Sequence, residues 1–247
     1  MTSIAIIGGT GLTSLAGLDL SGEETLATKY GEPSGPITRG GLAGKEVLFL
    51  PRHGYAHTIP PHKVNYRANI AALKQIGAEY IIAVNAVGGI SAQMQAGKVV
   101  IPDQLIDYTW SREHTFFDGG ADNVEHIDFT EPYCESLRTS LIQAGRQASI
   151  DVFDFGTYAV TQGPRLETPA EINRFDRDGC HIVGMTGMPE ASLARELGLC
   201  YTTVAMTVNP AAGKSDKEIS IKEIERNLSS GMAKVCQLLE VALVDCV

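Results

Sequence analysis

A near-continuous apolar segment, Glu79–Ala86 (EYIIAVNA), constrains the fold of this chain more than any other stretch. It predicts a strand in a sheet that is covered on both faces, because a strand with one solvated face alternates apolar and polar residues. Several other short apolar runs are separated by helical patterns. Strands interleaved with helices are typical of an α/β domain, and we expect a single domain over residues 1–247.

The other predicted elements follow in chain order. Strands are expected at Ser3–Ile7, Glu46–Leu50, Val99–Ile101, Gln104–Tyr108, Phe155–Thr161, His181–Met185 and Cys200–Val208. Helices are expected at Asn65–Gln75, Glu131–Gln147, from Thr168 onward, at Pro189–Leu197 and from Ser220 to about Leu243. The starts at Thr168 and Ser220 carry capping boxes. Asp19–Gly44 and Ser111–Thr130 are polar and are predicted to be loop or edge.

Composition excludes several classes of protein. The chain of 247 residues has 29 Asp and Glu against 20 Lys and Arg, and a net charge of −9. This balance argues against a nucleic-acid surface, which needs clustered Lys and Arg. No apolar run approaches the roughly 18 residues of a membrane span, and the first ten residues lack a signal-peptide pattern. The five cysteines are scattered without a CxxC pair, so we expect no disulfide framework, no metal site and a reduced, cytoplasmic setting.

The segment Leu50–Asn69 differs in charge from the rest of this acidic chain. It has no carboxylate, and it contains Arg52, three of the six histidines and two further basic side chains. Such a concentration of donors suits a small anionic ligand. Arg52 and His53 directly follow a predicted strand, and open α/β sheets bind ligands at the carboxyl ends of strands. A solvated loop is the alternative interpretation.

A second candidate anion site is the glycine turn Gly8–Gly11, which follows the first predicted strand. Its backbone N–H groups and the Thr10 hydroxyl are free to face an anion. The third glycine of a dinucleotide-binding fingerprint is missing, and no acidic strand end follows about 20 residues on. A nicotinamide enzyme is therefore disfavoured, whereas a plain tight turn stays open.

Taken together, the motifs resemble those of the purine nucleoside phosphorylase superfamily in its trimeric branch, particularly the 5′-methylthioadenosine phosphorylases. They run from the first strand to the last helix. The residues that carry the resemblance are Ile7–Leu12, Arg52-His53-Gly54, His57-Thr58, Lys63–Tyr66, Val124–Cys134, Gly163-Pro164-Arg165, Met185-Thr186 and Met188-Pro189-Glu190.

The resemblance implies a nucleoside phosphorylase fold, with a mixed and largely buried central sheet flanked by helices. It also implies phosphorolysis, in which phosphate attacks the anomeric carbon of a nucleoside and frees the purine. No metal or organic cofactor is implied, since phosphate is a substrate. A homotrimer, or a hexamer, with sites near subunit interfaces is implied as well. The implied phosphate-binding residues are Thr10, Arg52, His53, Asn85, Ala86 and Thr186. Asn85 and Ala86 are expected to form a turn at the end of their strand.

The same resemblance assigns the nucleoside. Met185 would pack against the ribose and Leu166 against the purine, and His126 would reach into a neighbouring subunit's site. His57 would line the sugar side, near the methylthio group or the phosphate.

Two departures from the methylthioadenosine enzymes bear on the base. Where those enzymes have an Asp-x-Asp pattern this chain has Asn209-Pro210-Ala211, and Glu167 replaces a small hydroxyl residue. Both features resemble the 6-oxopurine phosphorylases. An ionised Glu only accepts hydrogen bonds, so it suits the ring N–H of a 6-oxopurine and opposes the acceptor nitrogen of adenine. Asn209 can donate to the 6-oxo group and bond N7 as the base leaves, which makes it the predicted catalytic residue. The alternative is a surface Glu and a turn-capping Asn.

The sugar end points to a thioether. Ile221 occupies the position where inosine phosphorylases have a His that bonds the 5′-hydroxyl, and it offers only hydrocarbon. Base and sugar together predict S-methyl-5′-thioinosine as the nucleoside. Methylthioadenosine, inosine and guanosine stay open as alternative substrates, as does a non-catalytic nucleoside-binding protein. Alternatively, Ile221 is a hydrophobic core residue near the start of a helix and does not contact the sugar.

Overall fold

The computed structural model describes residues 3–12, 17–119, 124–216 and 220–245, without the side chains of Ile221 and Asp245. Within them the strands are β1 (Ile4–Gly8), β2 (Asp19–Glu24), β3 (Ile37–Leu42), β4 (Lys45–Pro51), β5 (Tyr80–Gly89), β6 (Val99–Val100), β7 (Gln104–Asp107), β8 (Val152–Phe153), β9 (Thr157–Val160), β10 (Ile182–Gly184) and β11 (Cys200–Pro210). The helices are α1 (Tyr66–Gln75), α2 (Glu135–Gln147), α3 (Pro169–Arg177), α4 (Glu190–Glu196) and α5 (Ile221–Asp245), with a 3₁₀ turn at Pro61–Lys63.

One mixed sheet contains all of these strands, in the order β2-β3-β4-β1-β5-β10-β9-β7, with β11 also beside β5 and followed by β6 and β8. The apolar β5 is its centre. It pairs in parallel with β1 and β11 and antiparallel with β10. The predicted mixed sheet is confirmed.

Helices cover both faces of the sheet, as the apolar character of β5 requires. Alternate residues of β1 and β5 belong to two different core clusters. One cluster packs beneath α1 and α4 and includes Ile7, Ile81, Ala83, Ile70 and Leu193. The other packs beneath α2 and α5 and includes Ile6, Ile82, Val84, Leu141 and Leu238. The prediction of a sheet flanked by helices is confirmed.

Local capping explains where two helices begin. At α3 the Thr168 side chain accepts from the Glu171 N–H at 3.2 Å, and the Glu171 carboxylate accepts from the Thr168 N–H at 2.7 Å. The predicted capping box is therefore present. At α1, Asn65 accepts from the Ala68 N–H at 3.0 Å. These bonds satisfy N–H groups that have no partner inside the helix.

The polar stretch predicted as loop or edge contains β2 and β3, which pair antiparallel at the sheet edge, and every residue of β2 is exposed. Two boundaries differ from the sequence prediction. The expected turn at Asn85-Ala86 is wrong, because β5 continues to Gly89 through its pairing with β11. Helix α2 begins at Glu135 rather than Glu131, since the Cys134 N–H donates to the Tyr201 carbonyl at 2.8 Å and holds the preceding residues in another conformation.

The expectation of no disulfide is also wrong. Cys134 and Cys200 form a disulfide across 66 residues of sequence, joining the start of α2 to the start of β11. The same Cys134–Tyr201 backbone bond brings the two elements together. Two isolated cysteines in different elements carry no spacing signal, so no sequence pattern indicates the pair. In the part of the chain described here, no helix has the length and apolar character that crossing a membrane requires.

Candidate active site

A cavity of about 410 Å³ opens where β1 and β4 end, along the second half of β5, and where β9, β10 and β11 end. It brings together most of the side chains that the sequence singles out. The predicted residues that line it are Thr10, Arg52, His53, His57, Asn85, Ala86, Leu166, Glu167, Met185, Thr186, Asn209 and Ala211.

Arg52 is fully buried at the inner wall of this cavity. Its Nε and Nη2 donate to the two carboxylate oxygens of Glu190, each at 2.7 Å, and Nη1 donates to the Val84 carbonyl at 3.0 Å. Burial lowers the pKa of Arg52, but the charge of Glu190 and its hydrogen bonds, with smaller contributions from Tyr201 and Tyr66, together hold this pKa above its ordinary value. A guanidinium has five N–H groups, and these bonds use three of them.

The backbone approaches Arg52 closely at Gly9, which also lines the cavity. A Cβ at this position would lie 2.9 Å from Arg52 Nη1 and 2.4 Å from the Val84 carbonyl oxygen. Only a residue without a side chain therefore allows the turn after β1 to pack this closely against β5 and the Arg52 guanidinium. This supports a packing role for Gly9.

His53 is held in a defined tautomer beside Arg52. Its Nδ1 lies 2.8 Å from the Ile59 carbonyl. Burial, and then the charge of Arg52, lower the pKa of His53 to about 4, so the ring is neutral at pH 7. Because a carbonyl only accepts, Nδ1 carries the proton and Nε2 has a free lone pair. The exposed His57 ring packs edge-on against this ring, with centroids 4.8 Å apart.

Asn85 and Thr186 form a polar pair on the neighbouring wall. Asn85 Nδ2 donates to Thr186 Oγ1 at 2.6 Å, so the Thr186 hydroxyl keeps its own hydrogen to donate. The Asn85 Oδ1 atom is buried and has no hydrogen-bond partner among the described residues. Both side chains line the cavity. A ligand with a hydroxyl and an oxyanion would satisfy both groups.

Glu167 and Asn209 lie on the side of the cavity formed by the ends of β9 and β11. Glu167 Oε1 accepts from the Thr161 hydroxyl at 2.7 Å, and burial raises the pKa of this carboxyl above its ordinary range. Asn209 follows an irregularity in the pairing of β11 with β5, and its Nδ2 donates to the Pro210 carbonyl at 2.6 Å. The cavity therefore offers an acceptor-only carboxylate and an amide that keeps one N–H and its oxygen.

Two predicted site residues, Pro210 and His126, do not line this cavity. Pro210 lines an adjacent cavity, to which Asn209 and Ala211 also contribute. His126 is exposed in an irregular segment outside it. The Ile221 side chain lies outside the described residues, and one turn further along α5 the apolar wall is formed by Ile224.

Sequence reasoning missed the roles of Glu190, Arg112 and Ile224. Glu190 lies in the quoted Met188-Pro189-Glu190 motif, yet nothing local indicates that it neutralises an arginine 138 residues away. Arg112 lies in a polar segment that carries no regular pattern. For Ile224, the position three residues after Ile221 on a helix was an available signal.

Comparisons with known proteins agree with this geometry. The sequence profile of the phosphorylase superfamily matches residues 3–243. A probable S-methyl-5′-thioinosine phosphorylase from Pseudomonas syringae pv. tomato is 58% identical over 95% of this chain and 96% of the relative. The 6-oxopurine nucleoside phosphorylase of Pyrococcus furiosus is 46% identical over 98% of this chain and 92% of the relative. The solved methylthioadenosine phosphorylase of Schistosoma mansoni in complex with adenine has a TM-score of 0.95 at 33% identity, covering 100% of this chain and 93% of that one.

Proposed function

This chain belongs to the phosphorylase superfamily as a nucleoside phosphorylase, a pentosyltransferase, and we propose that its nucleoside substrate is S-methyl-5′-thioinosine. In the proposed reaction an oxygen of phosphate bonds to the anomeric carbon while the bond from that carbon to purine N9 breaks. The electron pair leaves with the purine, which takes up a proton. The products are hypoxanthine and 5-methylthioribose 1-phosphate.

The proposed phosphate position is the wall that contains Arg52, His53 and Thr186. Arg52 would contribute two N–H groups and Thr186 a hydroxyl, with Thr10 and the Ala86 backbone on the same cavity. Since Glu190 offsets the Arg52 charge, hydrogen-bond direction rather than net charge would place the anion. The neutral His53 would accept a hydrogen bond through Nε2, which suits a phosphate that still carries a proton.

A fixed phosphate also suits the transition state. Breaking the glycosidic bond develops positive charge on the sugar, and an oriented anion beside it both attacks and balances that charge. The proposed chemistry draws only on phosphate and on this chain's side chains. The absence of a cofactor and of a metal requirement stays a prediction.

The single observation that carries the substrate proposal is that Glu167 and Asn209 line the same cavity as Arg52. Glu167 would accept the ring N–H of hypoxanthine, and Asn209 would donate its remaining N–H to the 6-oxo group or N7. Adenine would place a lone pair against the carboxylate. A polar site that is mispaired in this way discriminates by about 10⁴.

The sugar end is supported by apolar neighbours. Ile224 and Val208 line the cavity near the start of α5, and a buried methyl or methylene gains roughly 0.8 kcal/mol. A 5′-hydroxyl left without a partner there would lose about 1–3 kcal/mol. His57 and Met185 would complete the sugar side, while Ile221 stays a predicted contact.

A second candidate is a general 6-oxopurine phosphorylase, which the 46% identity to the Pyrococcus furiosus enzyme favours. Purified protein with methylthioinosine or inosine, with and without phosphate, separates the two. The proposal expects phosphate-dependent hypoxanthine release with a clear preference for methylthioinosine. Equal turnover of inosine would favour the second candidate, and release without phosphate would indicate a nucleosidase.

We also propose a homotrimer, or a hexamer built from trimers, in which His126 completes a neighbour's site. Its exposure in an irregular segment outside its own cavity is consistent with this role. Light scattering that gives a monomer would contradict the proposal. A cytoplasmic location is likewise proposed, although the disulfide removes the expectation of fully reduced thiols on which it rested.

A further inference from the structure

Arg112 bridges two loops that line the cavity, although it has no place in the reaction described above. Towards the loop after β10, its Nη1 donates to the Met185 carbonyl at 2.9 Å and to the Met188 carbonyl at 2.6 Å. The Tyr66 hydroxyl lies 3.2 Å from the same nitrogen. One end of the guanidinium is therefore committed to the backbone that carries Thr186.

The other two nitrogens of the Arg112 guanidinium group, Nη2 and Nε, contact the loop after β9. Nη2 donates to the Thr161 carbonyl at 3.1 Å and to the Gln162 carbonyl at 2.8 Å. Nε donates to the Gln162 side-chain oxygen at 3.1 Å. This loop continues to Leu166 and Glu167, which line the cavity.

These contacts span the two functional ends of the site. The loop after β9 carries the proposed base reader, and the loop after β10 carries the proposed ribose contact and one phosphate donor. The carbonyl partners lie outside or at the ends of strands, where backbone acceptors need another donor. A planar guanidinium supplies several donors in fixed directions, which a flexible ammonium does not.

We infer that Arg112 is a positioning residue, which fixes the separation between the loop that reads the purine and the loop that binds ribose and phosphate. This inference rests on the proposed function, because it takes the roles of Glu167 and Thr186 from it. Loss of the Arg112 guanidinium would allow the loop after β9 and the loop after β10 to shift relative to each other. A misplacement of about 1 Å at the reacting groups lowers activity by about 10²-fold.

Arg138 provides a matched control. Arg138 is buried, whereas Arg112 is half-buried, and its guanidinium likewise joins backbone carbonyls, with bonds to Pro102 at 2.9 Å, Ile101 at 3.3 Å and Asp154 at 2.6 Å. None of these three residues lines the cavity. Arg138→Lys therefore disrupts a guanidinium–carbonyl network of the same kind without touching either loop.

The test compares wild type, Arg112→Lys and Arg138→Lys by Tm and by kcat and KM for methylthioinosine, methylthioadenosine and phosphate. We expect Arg112→Lys to lose roughly 10- to 100-fold in kcat/KM, to raise the KM for phosphate and nucleoside together, and to narrow the preference between the two bases. Arg138→Lys is expected to lower Tm while keeping wild-type kinetics. Kinetics of Arg112→Lys that match those of Arg138→Lys would overturn the inference.

Two further measurements keep the test decisive. If Arg112→Lys does not fold, Gln162→Met removes the side-chain acceptor of Arg112 Nε, which is also the acceptor of the Trp110 N–H. The same change in base preference is expected, and an unchanged preference refutes the inference. If wild type turns over no nucleoside, the proposed function fails by itself. Calorimetry with inorganic phosphate and with hypoxanthine then applies, and weakened binding of both by Arg112→Lys supports the positioning role, whereas unchanged binding overturns it.

Discussion

Replacing Glu167 by Gln isolates the property on which base recognition depends. Gln keeps the size of the side chain and the acceptor for the Thr161 hydroxyl, which now lies 2.7 Å from Glu167 Oε1. It removes the charge and turns an N–H group towards the base. The ring N–H of hypoxanthine then meets a donor, whereas the acceptor nitrogen of adenine meets a partner.

The expected size follows from the hydrogen bond lost. A bond to a charged group contributes about 1.5–3 kcal/mol, which is roughly 10- to 150-fold in kcat/KM. We expect kcat/KM for methylthioinosine to fall by that factor while the value for methylthioadenosine stays level or rises. Initial rates of base release, resolved by chromatography at saturating phosphate, give both values. An unchanged ratio between the two substrates would refute the proposed role of Glu167.

The pH dependence adds an independent signature. Burial raises the pKa of Glu167 above its ordinary value, so the carboxylate becomes protonated at a higher pH than an exposed Glu. The kcat/KM of wild type for methylthioinosine should therefore fall on the acidic side as this group gains its proton. Glu167→Gln should lack that acidic limb.

Stability separates recognition from folding. A carboxyl whose folded pKa is raised favours folding more as pH falls through that pKa, and its charge opposes folding at pH 7. Glu167→Gln is therefore not expected to lower Tm through loss of charge. Glu171 is the matched control, because Arg165 and the Thr168 N–H lower its pKa to about 2 and it does not line the cavity. Its stabilising contribution is complete above pH 4.5 and is lost as pH falls towards 2, so Glu171→Gln should lower Tm and keep the base preference.

Two further outcomes test the frame around the site. Arg52→Ala and Glu190→Ala should each lower the free energy of unfolding by about 3–5 kcal/mol, because each leaves a buried charge without its partner. In denaturant titrations the double variant should lose much less than the sum of the two single losses. A double loss equal to that sum would contradict the pairing. Replacing both Cys134 and Cys200 by Ser should lower the free energy of unfolding by about 2–4 kcal/mol without changing substrate preference. Peptide mapping of unreduced protein should recover the two cysteines linked, and separate thiols would contradict the bond.

The elements near the site were largely predictable because their signals are local. A few neighbouring residues are enough to predict each of three features: the buried strand β5, the helix start at the Thr168–Glu171 capping box and the glycine turn after β1. Ligand sites in open α/β sheets collect at strand ends, which predicted an anion site at Arg52. The roles of Glu167 and Asn209 came from the resemblance to the nucleoside phosphorylases.

What the sequence did not predict depends on distant partners. Glu190 meets Arg52 across 138 residues, and Cys134 meets Cys200 across 66. Neither spacing has a local pattern, because the sheet order alone decides which strand ends become neighbours. The bounds of β2, within the segment predicted as loop or edge, were not predictable for another reason, since pairing at an edge needs no buried face.

The central claim is that this cavity prefers a 6-oxopurine that carries a methylthioribose. A competition between equal amounts of methylthioinosine and methylthioadenosine, in one tube with phosphate, measures that preference directly as the ratio of hypoxanthine to adenine released early in the reaction. The account predicts a large excess of hypoxanthine. Adenine released at an equal or greater rate would contradict it.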